Sequence, residues 1–291
     1  MNLVIYHKAD FDGLCSGEIC RRFLKDTELL GYEYGDPVPD ISGFEAVYLV
    51  DISIKQLLEM PDAGHRIVWI DHHQTAIAQW DRPNIPGRRL DGVAACRLCW
   101  QWFNGGERAS REDYVERRVK EPKLVRLLGE YDIWDKRDPD ADFLQYGLRA
   151  ERMDWQDWQD ALKQDDPRWL SARLQAGKII ARYKANTNAT LIEGRGWTGL
   201  WLDQIFLVLN GHGNSHVFEA GIRPKHSGLL LWSHDGRKVT VSLYGVPHRP
   251  DNDLSVIARM MGGGGHRQAC GFSLSLGSWV EILRDNLRPH P

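Results

Sequence analysis

The stretch "RIVWIDHH", residues 66–73, joins an apolar, β-rich run to an acid and two imidazoles. Ile67, Val68, Trp69 and Ile70 suit a strand anchored in a core, which puts the titratable triplet at its carboxyl end. Two earlier runs end in the same way. "LVIY", residues 3–6, stops at His7, and "AVYLV", residues 46–50, stops at Asp51. Between these runs lie segments of helical character. "SGEICRRFLK" carries Ile19, Phe23 and Leu24 at helical spacing, and "KQLLEM" runs up to Pro61. Short strand-like runs alternating with helical segments predict an α/β domain: a parallel sheet with helices on both faces.

After Pro86 the pattern turns helical. Residues 93–103, 111–120 and 123–134 are predicted helices. So is "MDWQDWQDALKQ", where Trp155, Trp158 and Leu162 have the spacing of a core-packing face. "WLSARLQAGKIIARYKANTNATLIE" predicts a long amphipathic connecting helix. From about Trp197 the texture changes to strand-like segments divided by Gly, Pro, Asn and Asp clusters, followed by "DLSVIARMM" and a glycine run. The expected organisation is an N-terminal domain over residues 1–165, a helical connector over 166–195 and a smaller α/β domain over 196–291. The active site is expected in the cleft between the two domains.

Composition agrees with two domains. The chain has 291 residues, more than one hydrophobic core usually serves. Its 42% apolar and 26% charged content is that of a soluble globular protein. A net charge of −3 argues against coating long nucleic acid but allows a small anionic substrate at one site. No apolar run approaches the roughly 18 residues of a membrane span. "MNLVIYH" enters a strand-like run at once, so no signal peptide is expected. Five cysteines, an odd and sparse set, fit a reducing compartment and predict a cytoplasmic protein. Cys96 and Cys99 form a lone C-x-x-C, which reads as two buried thiols on a helix rather than a zinc site.

The polar strand ends carry the chemistry. Ligands of open parallel sheets bind beyond the carboxyl ends of the strands, so the three runs should face one crevice. "HKADFDG" adds Asp10 and Asp12 just past the first run, and His72 and His73 follow the third. So much unpaired negative charge in one place would be costly. A pair of divalent cations relieves it. Mixed imidazole and carboxylate ligands suit manganese, iron or zinc better than calcium. Two ions bridged by a carboxylate form a clamp for in-line attack on phosphorus. Taken singly, Asp12 and Asp51 equally suit the N-cap of the helix that follows each. Capping leaves His7, His72 and His73 at the same edge without a role.

A second motif lies near the C-terminus. In "MGGGGHRQACGF", residues 261–272, four consecutive glycines cost backbone entropy. They suit a loop that aims N–H groups at an anion, and the alternative is a flexible hinge. The stretch is neither a Walker loop nor a dinucleotide fingerprint. His266 follows the glycines directly, with Arg259 and Arg267 adding positive charge on either side.

Taken in order, "HKADFDG", "VDIS", "IDHH" and "GGGGHRQACGF" resemble the motifs of the DHH superfamily of phosphoesterases, specifically its nano-RNase and RecJ-like branch with a C-terminal DHH-associated substrate-binding domain. The resemblance covers both ends of the chain, while residues 90–195 carry little motif information. It implies that His7 and Asp10 bind one metal, Asp12 and His72 the other, and that Asp51 bridges them. It implies a further metal ligand in "EYDIWD", where Asp132 is favoured over Asp135. Asp71 and His73 complete the catalytic set, Asp71 orienting its neighbours and His73 facing the substrate. Gly263, Gly264, Gly265, His266 and Arg259 are the implied substrate-binding residues. The first motif has the short H-x-x-D-x-D-G form, without the extra residue and proline of other members. Cys270 stands where many relatives have alanine.

The expected protein is thus a hydrolase: a phosphodiesterase that uses two divalent ions, Mn²⁺ foremost, to activate water and cut short oligonucleotides to mononucleotides. A cyclic-dinucleotide phosphodiesterase or a 3′-phosphoadenosine-phosphate phosphatase would share every residue named. A single-strand exonuclease and a catalytically inactive nucleotide-binding regulator are the more distant alternatives. No membrane partner and no stable long nucleic-acid partner are expected.

Overall fold

The three apolar runs are the centre of a five-stranded, wholly parallel sheet in a computed structural model that describes residues 1–82, 84–105, 109–135, 137–151, 153–164 and 167–290. Its strands are β1 (Asn2–His7), β2 (Thr27–Tyr32), β3 (Ala46–Val50), β4 (Ile67–Asp71) and β5 (Gly87–Arg89), in the order β2-β1-β3-β4-β5. Alternate residues of each run serve opposite faces, as the period of a strand requires. Val4, Val50 and Ile70 face one core with helices Phe11–Phe23, Ala95–Asn104, Lys123–Asp132 and Asp140–Ala150. Leu3, Ile5, Val47, Leu49, Ile67 and Trp69 face the other, against Leu57, Leu58 and Ala76 of shorter helices. Both faces are covered, so the runs are continuously apolar. Trp158 and Leu162 are buried in the first core, as are Cys96 and Cys99.

Two strands of this sheet have no counterpart among the strand-like runs of the sequence. β2 is a partly exposed edge strand, "TELLGY", whose polar residues hide its pairing. β5 is "GRR", three residues with no apolar signature, recruited by pairing with β4 where a helical stretch was expected to begin. The helix expected over residues 111–120 stops at Val115, since Arg117 takes a left-handed conformation (φ 55°).

The chain divides into two compact units, Met1–Ala181 and Arg182–Pro291. The long helix Pro167–Arg195 is continuous, and the division falls within it. The second unit is a mixed seven-stranded sheet in the order β10-β11-β9-β8-β7-β6-β12. Its strands are β6 (Trp197–Trp201), β7 (Gln204–Asn210), β8 (Gly228–His234), β9 (Val239–Tyr244), β10 (Gly264–His266), β11 (Ala269–Leu274) and β12 (Arg288–Pro289). β7 and β8 run parallel and the other pairs antiparallel. Phe206, Val208, Leu230 and Trp279 fill one core and Leu207, Leu209 and Phe218 the other. Among the described residues, no helix is long and apolar enough to cross a membrane.

Candidate metal centre

In the first sheet the strand order reverses between β1 and β3, the position where open α/β sheets leave a crevice at their carboxyl ends. His7 is the last residue of β1. Asp51 directly follows β3, with its N–H bonded to the Ile70 carbonyl at 3.0 Å. Its φ of 58° is left-handed, a conformation that aspartate tolerates better than most residues and that concentrates at functional sites. Asp71 ends β4, and His72 and His73 follow it. Two helices supply the rest: Asp10 and Asp12 at the start of Phe11–Phe23, and Asp132 as the last residue of Lys123–Asp132.

These side chains converge. His7 Nδ1 lies 3.0 Å from Asp10 Oδ2 and 3.5 Å from Asp51 Oδ2. His72 Nε2 lies 3.3 Å from Asp51 Oδ1, 3.3 Å from Asp132 Oδ2 and 3.6 Å from Asp12 Oδ2. The donors form compact groups suited to a cation: His7, Asp10 and Asp51; Asp12, His72 and Asp132; and Asp51, His72 and His73. Asp51 belongs to two of them. Asp135 is turned to Arg137, at 2.6 Å, which leaves Asp132 as the member of "EYDIWD" that faces His72.

The capping alternative is resolved atom by atom. Asp10, not Asp12, caps helix Phe11–Phe23, accepting from Gly13 N at 2.9 Å. Asp12 is buried and accepts from Ala95 N (2.8 Å) and Cys96 N (2.7 Å), so it ties the next helix of the core to the crevice. Asp51 caps nothing; the short helix after it, Lys55–Leu58, has Ile54 at its N-cap.

The donor set fits divalent cations. Burial, followed by the charge of Asp51, pushes the Asp12 carboxyl up to about 7. Burial and then Asp12 push Asp132 to about 7 as well, and burial raises Asp51. The imidazoles are driven the same way. Asp10 and Asp51 raise His7 to about 11. Burial opposes protonation of His72, but Asp51, Asp12 and Asp132 outweigh it and carry the group to about 10. Asp12, Asp51, Asp132, His7 and His72 therefore retain protons that they would lose in water, the signature of carboxylates short of positive charge, while Asp10, despite its burial, is lowered by His7 and the Gly13 N–H. His7 Nδ1 and Asp51 Oδ1 are moreover buried with no hydrogen-bond partner, a cost that a coordinated cation removes.

Asp71 has a different setting. Its Oδ1 accepts from His72 N (2.7 Å), His73 N (3.1 Å) and His73 Nδ1 (2.7 Å), and its Oδ2 from Trp69 Nε1 (3.1 Å). Those bonds occupy the carboxylate, so Asp71 positions the histidines rather than meeting a substrate. The Asp71 contact raises the pKa of His73 and leaves Nε2 as its free ring nitrogen.

Glu33 and Tyr34, not among the residues expected at the site, follow strand β2. Glu33 Oε1 is 3.3 Å from His7 Nε2, and the Tyr34 hydroxyl is 3.3 Å from Ser53 Oγ. The one local signal was "EYGD", a turn with glycine in third place.

The remaining predicted site residues lie in the second unit. Gly264, Gly265 and His266 form β10, an exposed strand paired with β11. Packing explains two of the four glycines and backbone conformation a third. Gly262 has a φ of 79°, a Cβ on Gly263 would come within 2.1 Å of the Gly271 carbonyl oxygen, and one on Gly265 within 2.7 Å of Cys270 Cα. Gly264 has open space around it. Arg259 is exposed on helix Ser255–Met260 and donates to Ser255 Oγ at 2.7 Å. Cys270 is buried in the core of this unit.

Comparison with known proteins bears on the same residues. Residues 2–127 match the DHH family, N-terminal domain. An uncharacterized protein of Acanthamoeba polyphaga mimivirus is 23% identical over 309 residues, covering 94% of this chain and 68% of that protein. Among solved structures, the pGpG-specific phosphodiesterase PggH of Vibrio cholerae aligns with a TM-score of 0.58 at 14% identity, over 97% of this chain and 96% of that one. The DHH domain of a member of a family of ribosomal proteins aligns with a TM-score of 0.56 at 14% identity, over 97% and 84% of the two chains. The exonuclease RecJ bound to manganese gives 0.50 at 15% identity, over 97% and 88%. At these identities the structural likeness concerns the fold.

Proposed function

The chain belongs to the DHH superfamily of phosphoesterases, and from that premise we propose that it hydrolyses short oligonucleotides to mononucleotides with two divalent ions, Mn²⁺ foremost. The observation that carries the reading is the pair of histidine–carboxylate groups sharing Asp51, whose Oδ1 is buried without a partner. His7, Asp10 and Asp51 would hold one ion, and Asp12, His72, Asp132 and Asp51 the other. Bound there, the ions supply Lewis-acid activation of water and neutralise charge developing on phosphorus.

The chain's own residues do the rest. Asp71 fixes the His73 ring through Nδ1 and raises its pKa, which favours the imidazolium form whose Nε2 can give a proton to a phosphoryl or leaving oxygen. Asp12 couples the site to the helix N-terminus at Ala95 and Cys96, which limits its movement. In the second unit, the glycine run, with His266 and Arg259, would take a phosphate of the substrate, through Gly264 and Gly265 rather than the Gly263 N–H, which is bonded to the Ala258 carbonyl at 2.8 Å. Open space at Gly264 and the exposure of β10 support this role.

The test is a substrate panel with Mn²⁺: di- to pentaribonucleotides, matching deoxyribonucleotides, cyclic dinucleotides, 3′-phosphoadenosine phosphate and pyrophosphate. Release of mononucleotides from the short linear substrates is expected. The linear dinucleotide pGpG, named for the Vibrio protein, belongs in the same series. No release from any linear substrate of two to five nucleotides would exclude the proposal, and turnover of only the cyclic or phosphoadenosine substrate would select that alternative.

A further inference from the structure

We propose that Glu33 is a positioning residue for the metal centre: it fixes the His7 ring so that Nδ1, and not Nε2, presents a lone pair to the cation shared with Asp10 and Asp51. The inference rests on the reading of that cluster as a metal site.

The placement follows from the sheet. β1 and β2 are parallel and in register, with His7 opposite Tyr32 and Lys8 N bonded to the Tyr32 carbonyl at 3.0 Å. The residue after Tyr32 must therefore emerge beside the end of β1. Residues 33–36, "EYGD", then close a tight turn in which Asp36 N donates to the Glu33 carbonyl at 3.0 Å and Gly35 takes a φ of 101°. That is the arrangement of a type II turn, which needs glycine in third place. Asp36 locks the turn from its side chain as well, accepting from Glu33 N (3.0 Å) and from Lys8 Nζ (2.6 Å), while Tyr32 donates its hydroxyl to the Asp36 carbonyl at 2.8 Å. The Glu33 backbone is thus held, and its carboxylate meets His7 Nε2 at 3.3 Å.

The two ring nitrogens of His7 consequently face different partners. Nδ1 faces Asp10 and Asp51 and has no hydrogen bond; Nε2 faces Glu33. A carboxylate that accepts from one ring N–H leaves the other nitrogen as the ligand atom and raises its basicity. Asp71 holds the His73 ring by the other nitrogen, Nδ1.

The experiment uses the full chain stripped of metal, with Glu33→Ala and Glu33→Gln beside the unsubstituted protein. Calorimetric titration with Mn²⁺ measures each ion's affinity, and long-range ¹H–¹⁵N spectra of the Zn²⁺-loaded protein identify the protonated nitrogen of His7. Two ions should bind the unsubstituted protein, with the His7 proton on Nε2. Glu33→Ala should weaken one ion by about 10- to 100-fold and leave the other unchanged, so the second ion also reports that the variant is folded. Glu33→Gln, which keeps an acceptor oxygen, should recover part of the loss. Equal affinity of both ions for Glu33→Ala, or a proton on Nδ1 in the unsubstituted protein, would overturn the role of Glu33 alone. If the unsubstituted protein takes up no ion, the metal reading itself falls, and this inference with it.

Discussion

The carboxyl edge of the first sheet and the glycine hairpin of the second unit solve opposite problems. At the sheet edge, charged groups are buried and short of partners: Asp51 is 1% exposed and its Oδ1 has no hydrogen bond. At the hairpin, β10 is exposed, and Gly263 and Gly265 are accounted for by contact with β11. Buried polar atoms without partners are costly, so their presence argues for a ligand absent from the protein chain itself. Exposed glycines pressed against a neighbouring strand need no ligand to explain them. The first region points to its cation through what the fold leaves unsatisfied, while in the second Gly264 is the one glycine of the run with neither a packing contact nor a positive φ to explain it.

The largest test of this contrast is at Asp51. Asp51→Asn should reduce turnover on the order of a thousandfold, the scale of losing a central electrostatic stabiliser, and should abolish binding of at least one ion. In metal-free protein the same change should raise the melting temperature, because it removes a buried charge while asparagine tolerates the positive φ. A lower melting temperature in EDTA would break the picture of an edge held in deficit.

The glycines come next. Gly263→Ala and Gly265→Ala should each destabilise the chain by about 1–3 kcal/mol, since their Cβ atoms would strike backbone. Gly264→Ala should leave stability intact and lower kcat/KM. Denaturant melts with steady-state kinetics on the three variants separate packing from binding, and unchanged kinetics at Gly264→Ala would remove the last reason to call the run a substrate loop.

A smaller effect is expected from pH. Asp12 and Asp132 are raised to about 7, so the metal-free native state keeps protons that the unfolded chain has released above about pH 4. Stability from these groups therefore falls as pH rises through 4 to 7. His7 and His72, raised to about 11 and 10, contribute stability that is full below about pH 6.5 and is lost as pH rises through those values. Thermal melts in EDTA should thus fall progressively from pH 5 to 8, and added Mn²⁺ should raise the melting temperature more at pH 8 than at pH 5. A metal-induced gain that is flat with pH would detach the protons from the ion site. The smallest effect belongs to Cys270→Ala, a modest truncation of a buried side chain that should cost about 1 kcal/mol and leave turnover unchanged.

Much of the first domain was legible because its strands are buried on both faces. Burial demands unbroken apolar runs, and the polar residue that ends each one is conspicuous: His7, Asp51 and Asp71. β2 and β5 were illegible for the converse reason. An edge strand such as "TELLGY" is half solvated, and "GRR" owes its conformation to the backbone of β4. Glu33 went unread with them, since its relevance depends on which strand lies beside β1.

What the sequence determined alone was which chemical groups arrive at one edge, because strand periodicity and the order of apolar runs dictate where each chain segment ends. Tertiary structure decided what each group does there. Asp10 became a helix cap and Asp12 a link to Ala95 and Cys96, while Asp71 spent its lone pairs on His72, His73 and Trp69. Asp51 kept an oxygen without a hydrogen bond. Four aspartates of identical chemistry were told apart by their hydrogen-bond partners, and those partners come from segments as much as 84 residues away, beyond the reach of any local pattern.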